Sequence, residues 1–416
     1  MKQPTRRTAL HRIAVGLGLL AGGPSLGCAL SLEDGLMNPC RPRTPEARLG
    51  ERLVREAFEG VEAGEVWDAH VHLLGLGDGG SGAWVNPARQ AWSDPVSKLQ
   101  GMFYKNAACA EVEGQVDAMF IHRLHGLLEE LPAGVKAMIF AFDQAHDGEG
   151  QALPEQSTFF IPNLWAYRIA RTWPERFAWV ASVHPWRRDA VEAVEEVVKH
   201  GAVAMKWLPA SMNIDPSSPL CDPYYDALAA AGLPLITHAG TERALVADEE
   251  QDLANPLRLR RALGRGVKVV MAHCASLGEC PDLDEGPSGP LVPCFELFAR
   301  MMDEPAWREL LLADISGLTQ TNRAGLPLQT TLEREDWHRR LVWGSDYPLA
   351  GVVPLTSLSG LIAGGHLTDN EAEALHTLRL SNPILFDFVL KRTVRVGEAR
   401  YGREVFETRR VFGRSG

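Results

Sequence analysis

The chain has 416 residues, 45% hydrophobic and 23% charged, which is ample material for one large buried core. Its net charge of -11 argues against a nucleic-acid-binding surface, which needs a basic face. No internal repeat and no long low-complexity tract is visible, so nothing points to a solenoid, a propeller or a mainly disordered chain.

Residues 1–28 read as a segment set apart from the fold. MKQPTRRTALHRIAVGLGLLAGG is basic, carries Arg6-Arg7, and continues into an apolar run from Ile13 to Leu20. That run is too short to span a bilayer and fits the apolar region of a signal peptide. TRRTAL resembles a twin-arginine export signal, with an ordinary secretory signal as the alternative. SLGC, ending at Cys28, resembles a bacterial lipoprotein box, although Leu26 stands two residues before the cysteine instead of three. The expectation is an exported protein, either released in the periplasm or anchored at the cell envelope through lipid on Cys28. Residues 29–64 form a lead-in to the fold.

From about residue 65 one theme recurs: a short apolar strand, a loop, then an amphipathic helix. The expected strands are Val66–Leu74, Val135–Asp143, Phe177–Pro185, Ala202–Pro209, Pro234–Gly240, Val267–Ser276, Leu310–Gly317 and Arg340–Pro348. Several are continuous apolar runs bounded by Gly or Pro, as strands buried on both faces should be. In RRDAVEAVEEVVKHG, Val191, Val194, Val197 and Val198 share one helical face that ends at Gly201. In CDPYYDALAAAG, Asp222 stands as an N-cap before Pro223, and Gly232 closes the helix. Eight strands alternating with helices predict an α/β fold, a (β/α)8 TIM barrel over residues 65–390 with long strand-to-helix loops. An open doubly wound sheet is the alternative, disfavoured because no Gly-rich dinucleotide fingerprint follows the first strand. Residues 391–416 form a basic C-terminal extension, a strand pair or a tail packed across the barrel.

In such a barrel the chemistry sits at the C-terminal ends of the strands. The polar residues there are His70 and His72, Lys206, His238, His273 and Asp346. His70 and His72 lie at i and i+2, share a face, and can hold one divalent metal ion. Each histidine alone has a plain reading as a hydrogen-bonded core residue. Together with Asp346 they are hard to obtain from packing, because buried polar groups cost free energy unless paired. Asp68 has the same parity one pleat deeper, and either orients a ligand histidine or bonds to backbone.

DAHVHLL, ITHAG, MAHCAS and WGSDYP resemble the strand-end motifs of the amidohydrolase superfamily of metal-dependent barrel enzymes, over roughly residues 65 to 390. GSDYP is especially like the branch that mixes hydrolases with decarboxylases and hydratases. The resemblance implies metal ligands His70, His72, Lys206, His238, His273 and Asp346, most readily for zinc. With two ions Lys206 is a bridging carbamate, which needs a neutral amine. With one ion the ligands are His70, His72, His238 and Asp346, His273 is an acid/base, and Lys206 pairs with an anion. The implied activity on a small molecule is cleavage of an amide, lactone or ester. A water activated by the metal attacks, Asp346 takes its proton, and the carbonyl is polarised by metal or by His273. Decarboxylation or hydration of an unsaturated or aromatic acid is the alternative. An exported metal- or solute-binding lipoprotein without catalysis is the reading from another class.

Specificity should reside in the loops. The first, GLGDGGSGAWVNPARQAWSDP, carries Trp84 and Trp92 and is either a lid over substrate or a surface excursion. His184 in SVHPW either reaches the pocket or packs structurally, and His146 reads as a solvent residue. After strand seven, Arg323, beside Asn322, either anchors a substrate carboxylate or is a solvated loop residue; Asp314 reads as structural. Cys274, Cys280 and Cys294 lie close enough for one bridge.

Overall fold

The computed structural model describes residues 35–41, 48–241 and 248–413. The expected export segment and Cys28 lie outside the described residues. All eight expected strands are present, each shorter than its apolar run: β1 (Trp67–His72), β2 (Lys136–Phe140), β3 (Phe177–Ala181), β4 (Ala204–Trp207), β5 (Leu235–His238), β6 (Val269–Ala272), β7 (Leu311–Asp314) and β8 (Leu341–Val342). They pair in chain order as one eight-stranded parallel sheet. Pairing in chain order with every neighbour parallel demands a crossover between strands, and helices supply most of it.

The helices that matter below are α1 (Arg48–Phe58), α2 (Pro95–Ala107), α3 (Val116–Glu129), α4 (Asn163–Thr172), α5 (Ala190–Lys199), α6 (Asp222–Ala231), α7 (Arg260–Gly264), α8 (Cys294–Asp303), α9 (Leu326–Glu333), α10 (Asp369–Arg379) and α11 (Pro383–Thr393). Helix α5 buries Val194 and Val197 on the expected face. Helix α6 ends at Gly232, whose φ of 59° admits glycine readily. Its start differs from expectation: Asp222 is the first helical residue, not the cap. The Asp222 carboxylate faces Arg261 of α7 in a two-bond pair at 2.7 and 2.8 Å, so it ties two helices instead of capping one. Among the described residues no helix is long and apolar enough to cross a membrane.

The strand-end segment after β8 runs along β1. Ala69 N donates to Trp343 O at 3.1 Å, Asp346 N to His70 O at 2.9 Å, and His72 N to Tyr347 O at 2.8 Å. Within β1 the register against β2 slips by one residue between Asp68 and Val71. This bulge breaks the period of two, so the shared face of His70 and His72 does not extend back to Asp68.

The basic C-terminal segment begins inside α11, where buried Lys391 pairs with Asp387 at 2.7 Å and donates to Gly344 O at 2.9 Å. The rest packs back on the sheet: Trp67 N donates to Thr408 Oγ1 at 2.8 Å and Trp343 N to Val405 O at 2.7 Å. Of the three clustered cysteines, Cys280 and Cys294 are bridged across a small hairpin, and Cys274 is a buried thiol. A second bridge, Cys40–Cys109, ties the lead-in to the turn after α2. Its 69-residue separation left no local signal in the sequence.

Gly344 sits where the segment after β8 crosses β1, and a Cβ there would lie 2.6 Å from His70 Cβ and 3.0 Å from His70 N. Neither neighbour can yield, since His70 is held by its own bonds on both sides. Gly344→Ala is expected to destabilise the fold by about 1–3 kcal/mol through overpacking. A urea midpoint equal to that of the parent chain would contradict it.

Candidate metal centre

His70 and His72 end β1, Lys206 lies in β4, His238 ends β5, His273 follows β6, and Asp346 follows β8. All six line one cavity of about 290 Å3 at the C-terminal ends of the strands. All but His72 are buried, and His72 is partly exposed.

The tautomers follow from their partners. His70 Nδ1 lies 2.8 Å from Asp314 Oδ2, and a carboxylate only accepts, so Nδ1 carries the proton and Nε2 presents its lone pair. His273 Nδ1 lies 3.0 Å from the Ser316 carbonyl, with the same consequence for its Nε2. Burial, then the Lys206 charge, holds His70 well below the usual histidine range. Burial, then Arg323, does the same for His273. Both rings are therefore neutral and act as lone-pair donors. That suits His273 as a ligand or proton acceptor and does not suit it as a donor polarising a carbonyl.

His70 Nε2 and His72 Nε2 are 3.2 Å apart, and Asp346 Oδ1 lies 3.2 Å from His72 Nε2 and 3.7 Å from His70 Nε2. Ligands at tetrahedral corners about 2.0–2.1 Å from a zinc ion stand roughly 3.3 Å apart. Two nitrogens and one carboxylate oxygen at this spacing fit a divalent ion. His70, His273 and Asp314 also cluster, but there His70 Nδ1 is already hydrogen-bonded to Asp314 Oδ2 and His273 Nδ1 to the Ser316 carbonyl. Lys206 Nζ reaches 3.4 Å from His70 Nε2 and lies 4.8 Å from the Phe140 ring centre. His238 stacks edge-on with His273 at 5.3 Å between ring centres.

The backbone beneath the site is held in sparsely populated conformations. Asp346 has φ 61°, and His273, Cys274 and Ala275 have φ 56°, 52° and 49°. Such residues cost on the order of 1–3 kcal/mol each and persist only where the surroundings over-determine them. Here Asp314 Oδ1 accepts from His273 N at 2.9 Å and from Ser316 N at 3.0 Å, and also from the Ser316 hydroxyl.

Asp314 is thus the orienting partner of His70, a role the sequence placed with Asp68 as one of two alternatives. Asp68 instead bonds to backbone, accepting from Ser345 N at 2.8 Å and His70 N at 3.2 Å. The bulge in β1 is the reason. Arg323 is brought to the cavity: it is 8% exposed, lines the wall, and donates to Ser276 Oγ at 3.1 Å. His184 is not brought there. Its Nε2 lies 2.9 Å from Met212 O, and its Nδ1 accepts from Trp186 N at 3.2 Å, so both nitrogens serve local structure. His146 is buried against His184 and is not a solvent residue. Trp84 pairs with Phe160 in a short antiparallel bridge, and its neighbour Val85 faces the cavity in its place. Trp92 is 77% exposed beneath the Lys98 ammonium. Ser316 escaped the sequence reading, although it lies two residues past a strand end, where a search for polar side chains would find it.

Residues 67–352 match the amidohydrolase family model, and the chain belongs to that family. No curated protein matches it significantly. A structure described as a probable 2-pyrone-4,6-dicarboxylic acid hydrolase of Acinetobacter baumannii, with citric acid bound, is 14% identical; the match covers 76% of this chain and 96% of that one, with a TM-score of 0.43. The 5-carboxyvanillate decarboxylase of Sphingomonas paucimobilis is 12% identical over 84% of this chain and 99% of its own, with a TM-score of 0.45. A 5-carboxyvanillate decarboxylase of Novosphingobium aromaticivorans, complexed with manganese, is 13% identical over 68% of this chain and 77% of its own, at 0.35.

Asp314→Asn removes the anionic acceptor behind His70 while keeping its shape. Metal affinity is expected to fall about 10–100-fold, read by competition with a chromogenic chelator. Unaltered affinity would remove the orienting role.

Burial raises the Asp68 carboxyl to about 7, against the lowering effect of its Ser345 and His70 bonds. The folded chain therefore binds a proton that the unfolded chain has released above its ordinary value of 3.8. Stability from this group is present at low pH and is lost as pH rises through about 7. The stability difference between the parent and Asp68→Asn should shift in favour of the variant between pH 4 and pH 8. A difference independent of pH would contradict the assignment.

Proposed function

We propose that the chain is a metal-dependent hydrolase cleaving an amide, lactone or ester bond of a small molecule. The observation that carries this is the convergence of His70 Nε2, His72 Nε2 and Asp346 Oδ1 at 3.2–3.7 Å inside the strand-end cavity. A divalent ion held there supplies Lewis-acid polarisation and lowers the pKa of a water. His70 presents a fixed lone pair, with Asp314 holding its ring in place, and His72 Nε2 stands beside it. Asp346 Oδ1 stands beside both and is the acceptor for the proton of the attacking water, which it later delivers to the leaving group. His273 Nε2 is a ligand or proton acceptor, and Arg323 offers a forked donor to a carboxylate.

Zinc is the ion best matched to two imidazoles and a carboxylate, with manganese the rival. A second ion would draw on His238, His273 and a carbamate at Lys206, whose amine already reaches the cluster. Metal content per chain distinguishes the two arrangements. We also infer a closed (β/α)8 barrel, supported by the three backbone bonds joining β1 to residues 343–347. Export, with or without lipid on Cys28, is supported by the N-terminal sequence and by two disulfides, which persist in oxidising compartments.

Non-oxidative decarboxylation is the second reading, favoured by Arg323, which is buried in the same cavity and suited to holding a substrate carboxylate. Screening the metal-loaded protein against lactones, amidated amino acids and aromatic acids, with carbon dioxide release measured in parallel, separates the two. Asp346→Asn should keep the fold and lower kcat at least 100-fold, within the usual contribution of a positioned base. An unchanged kcat would sink the role given to Asp346.

A further inference from the structure

We propose that α2 carries a second anion subsite, a notch at Gly101 flanked by Lys98 and Lys105, which binds an anionic group at the far end of the substrate. This rests on the strand-end cluster being the reacting site, since the notch then receives the end of the molecule that does not react.

Ser97, Lys98, Gly101, Tyr104 and Lys105 all line the cavity. Their spacing of three, four and seven residues is that of one helix face, so α2 forms a wall and not only a surface helix. Gly101 interrupts this face. A glycine inside a helix is unfavourable relative to alanine. A Cβ at Gly101 would meet no atom within 4 Å, so close packing does not require the glycine. The space it leaves opens into the cavity, with a lysine one turn away on each side.

The charge of the wall matches this shape. The Lys98 ammonium donates to Gln90 O at 3.0 Å and lies 4.5 Å over the Trp92 ring, and with three donors it retains capacity for an anion. Among the described residues no carboxylate pairs with Lys98 or Lys105. Arg89 lines the same side and donates to Ser97 Oγ at 3.1 Å. Among the described residues that line the cavity, the charged ones other than histidine are Arg89, Lys98, Lys105, Lys206 and Arg323 against Asp346. In a chain of net charge -11 this reversal focuses a positive field on the cavity and selects anions. Carboxylate and phosphate share the chemistry the notch recognises.

The test is calorimetric titration of the metal-loaded full chain with glutarate, adipate, suberate and 4-phosphonobutyrate, with hexanoate lacking the distal charge. The best-fitting doubly anionic probe should bind at least tenfold tighter than hexanoate. A carboxylate subsite shows the preference with a diacid, and a phosphate subsite with the phosphonate. Replacing Lys98→Gln and Lys105→Gln together should abolish the preference and leave hexanoate binding unchanged. Gly101→Leu, which fills the notch with a good helix former and removes no charge, should do the same. Equal binding of hexanoate and every doubly anionic probe overturns the proposal, as does a preference that survives both variants. Binding is read without turnover, so the hydrolase reading can fail through Asp346→Asn while the notch stands, and the reverse.

Discussion

The Asp314 carboxylate is the junction on which the site depends. One oxygen accepts from the His70 ring, and the other accepts from the His273 backbone and from Ser316. It therefore couples the end of β7 to the ends of β1 and β6 through charge-assisted bonds in a fully buried setting. The bonds set the His70 tautomer, and through Ser316 they also set that of His273. Without that anion, the buried His70 imidazole would lose the partner that decides which nitrogen faces the cavity.

The same junction explains how a chain tolerates left-handed backbone at His273, Cys274 and Ala275. The turn redirects the chain directly after β6, and the Asp314 bond to His273 N closes it. On the other side of the cavity, Asp346 with φ 61° is held by its own N–H bond to His70 O. Both strained segments thus end on residues of the same cluster, and the packed sheet beneath them supplies the rigidity. Gly344, pressed against His70, belongs to the same arrangement: the absence of a side chain lets the segment after β8 lie close enough for those bonds to form.

The eight strands were legible because several are continuous apolar runs bounded by Gly or Pro and all alternate with helical patterns, as strands buried on both faces do. The strand-end residues were legible because polar side chains there contradict the apolar runs they interrupt. Strand ends were less so: His273 and Asp346 fall just outside the ladder, in turns whose geometry depends on bonds from other strands. Asp68 stayed open between orienting a histidine and bonding to backbone for a specific reason, since alternation along β1 assumes an unbroken register and the bulge removes it. His146 misled for another, and His184 stayed open between pocket and packing. A histidine beside a strand end can turn its nitrogens inward to backbone, as His184 does toward Met212 and Trp186, and sequence carries no sign of that choice.

By itself, the sequence determined the order of strands and helices, the family, and which polar side chains stand at the strand ends. Those depend on local pattern, namely apolar periodicity and the motifs at strand ends. Only the tertiary structure decided which carboxylate orients which histidine, which of the outlying residues reach the cavity, and that one face of α2 forms its wall. Those depend on contacts between residues far apart in the chain, such as Asp314 with His70 or Cys40 with Cys109, whose geometry exists only once the core has packed.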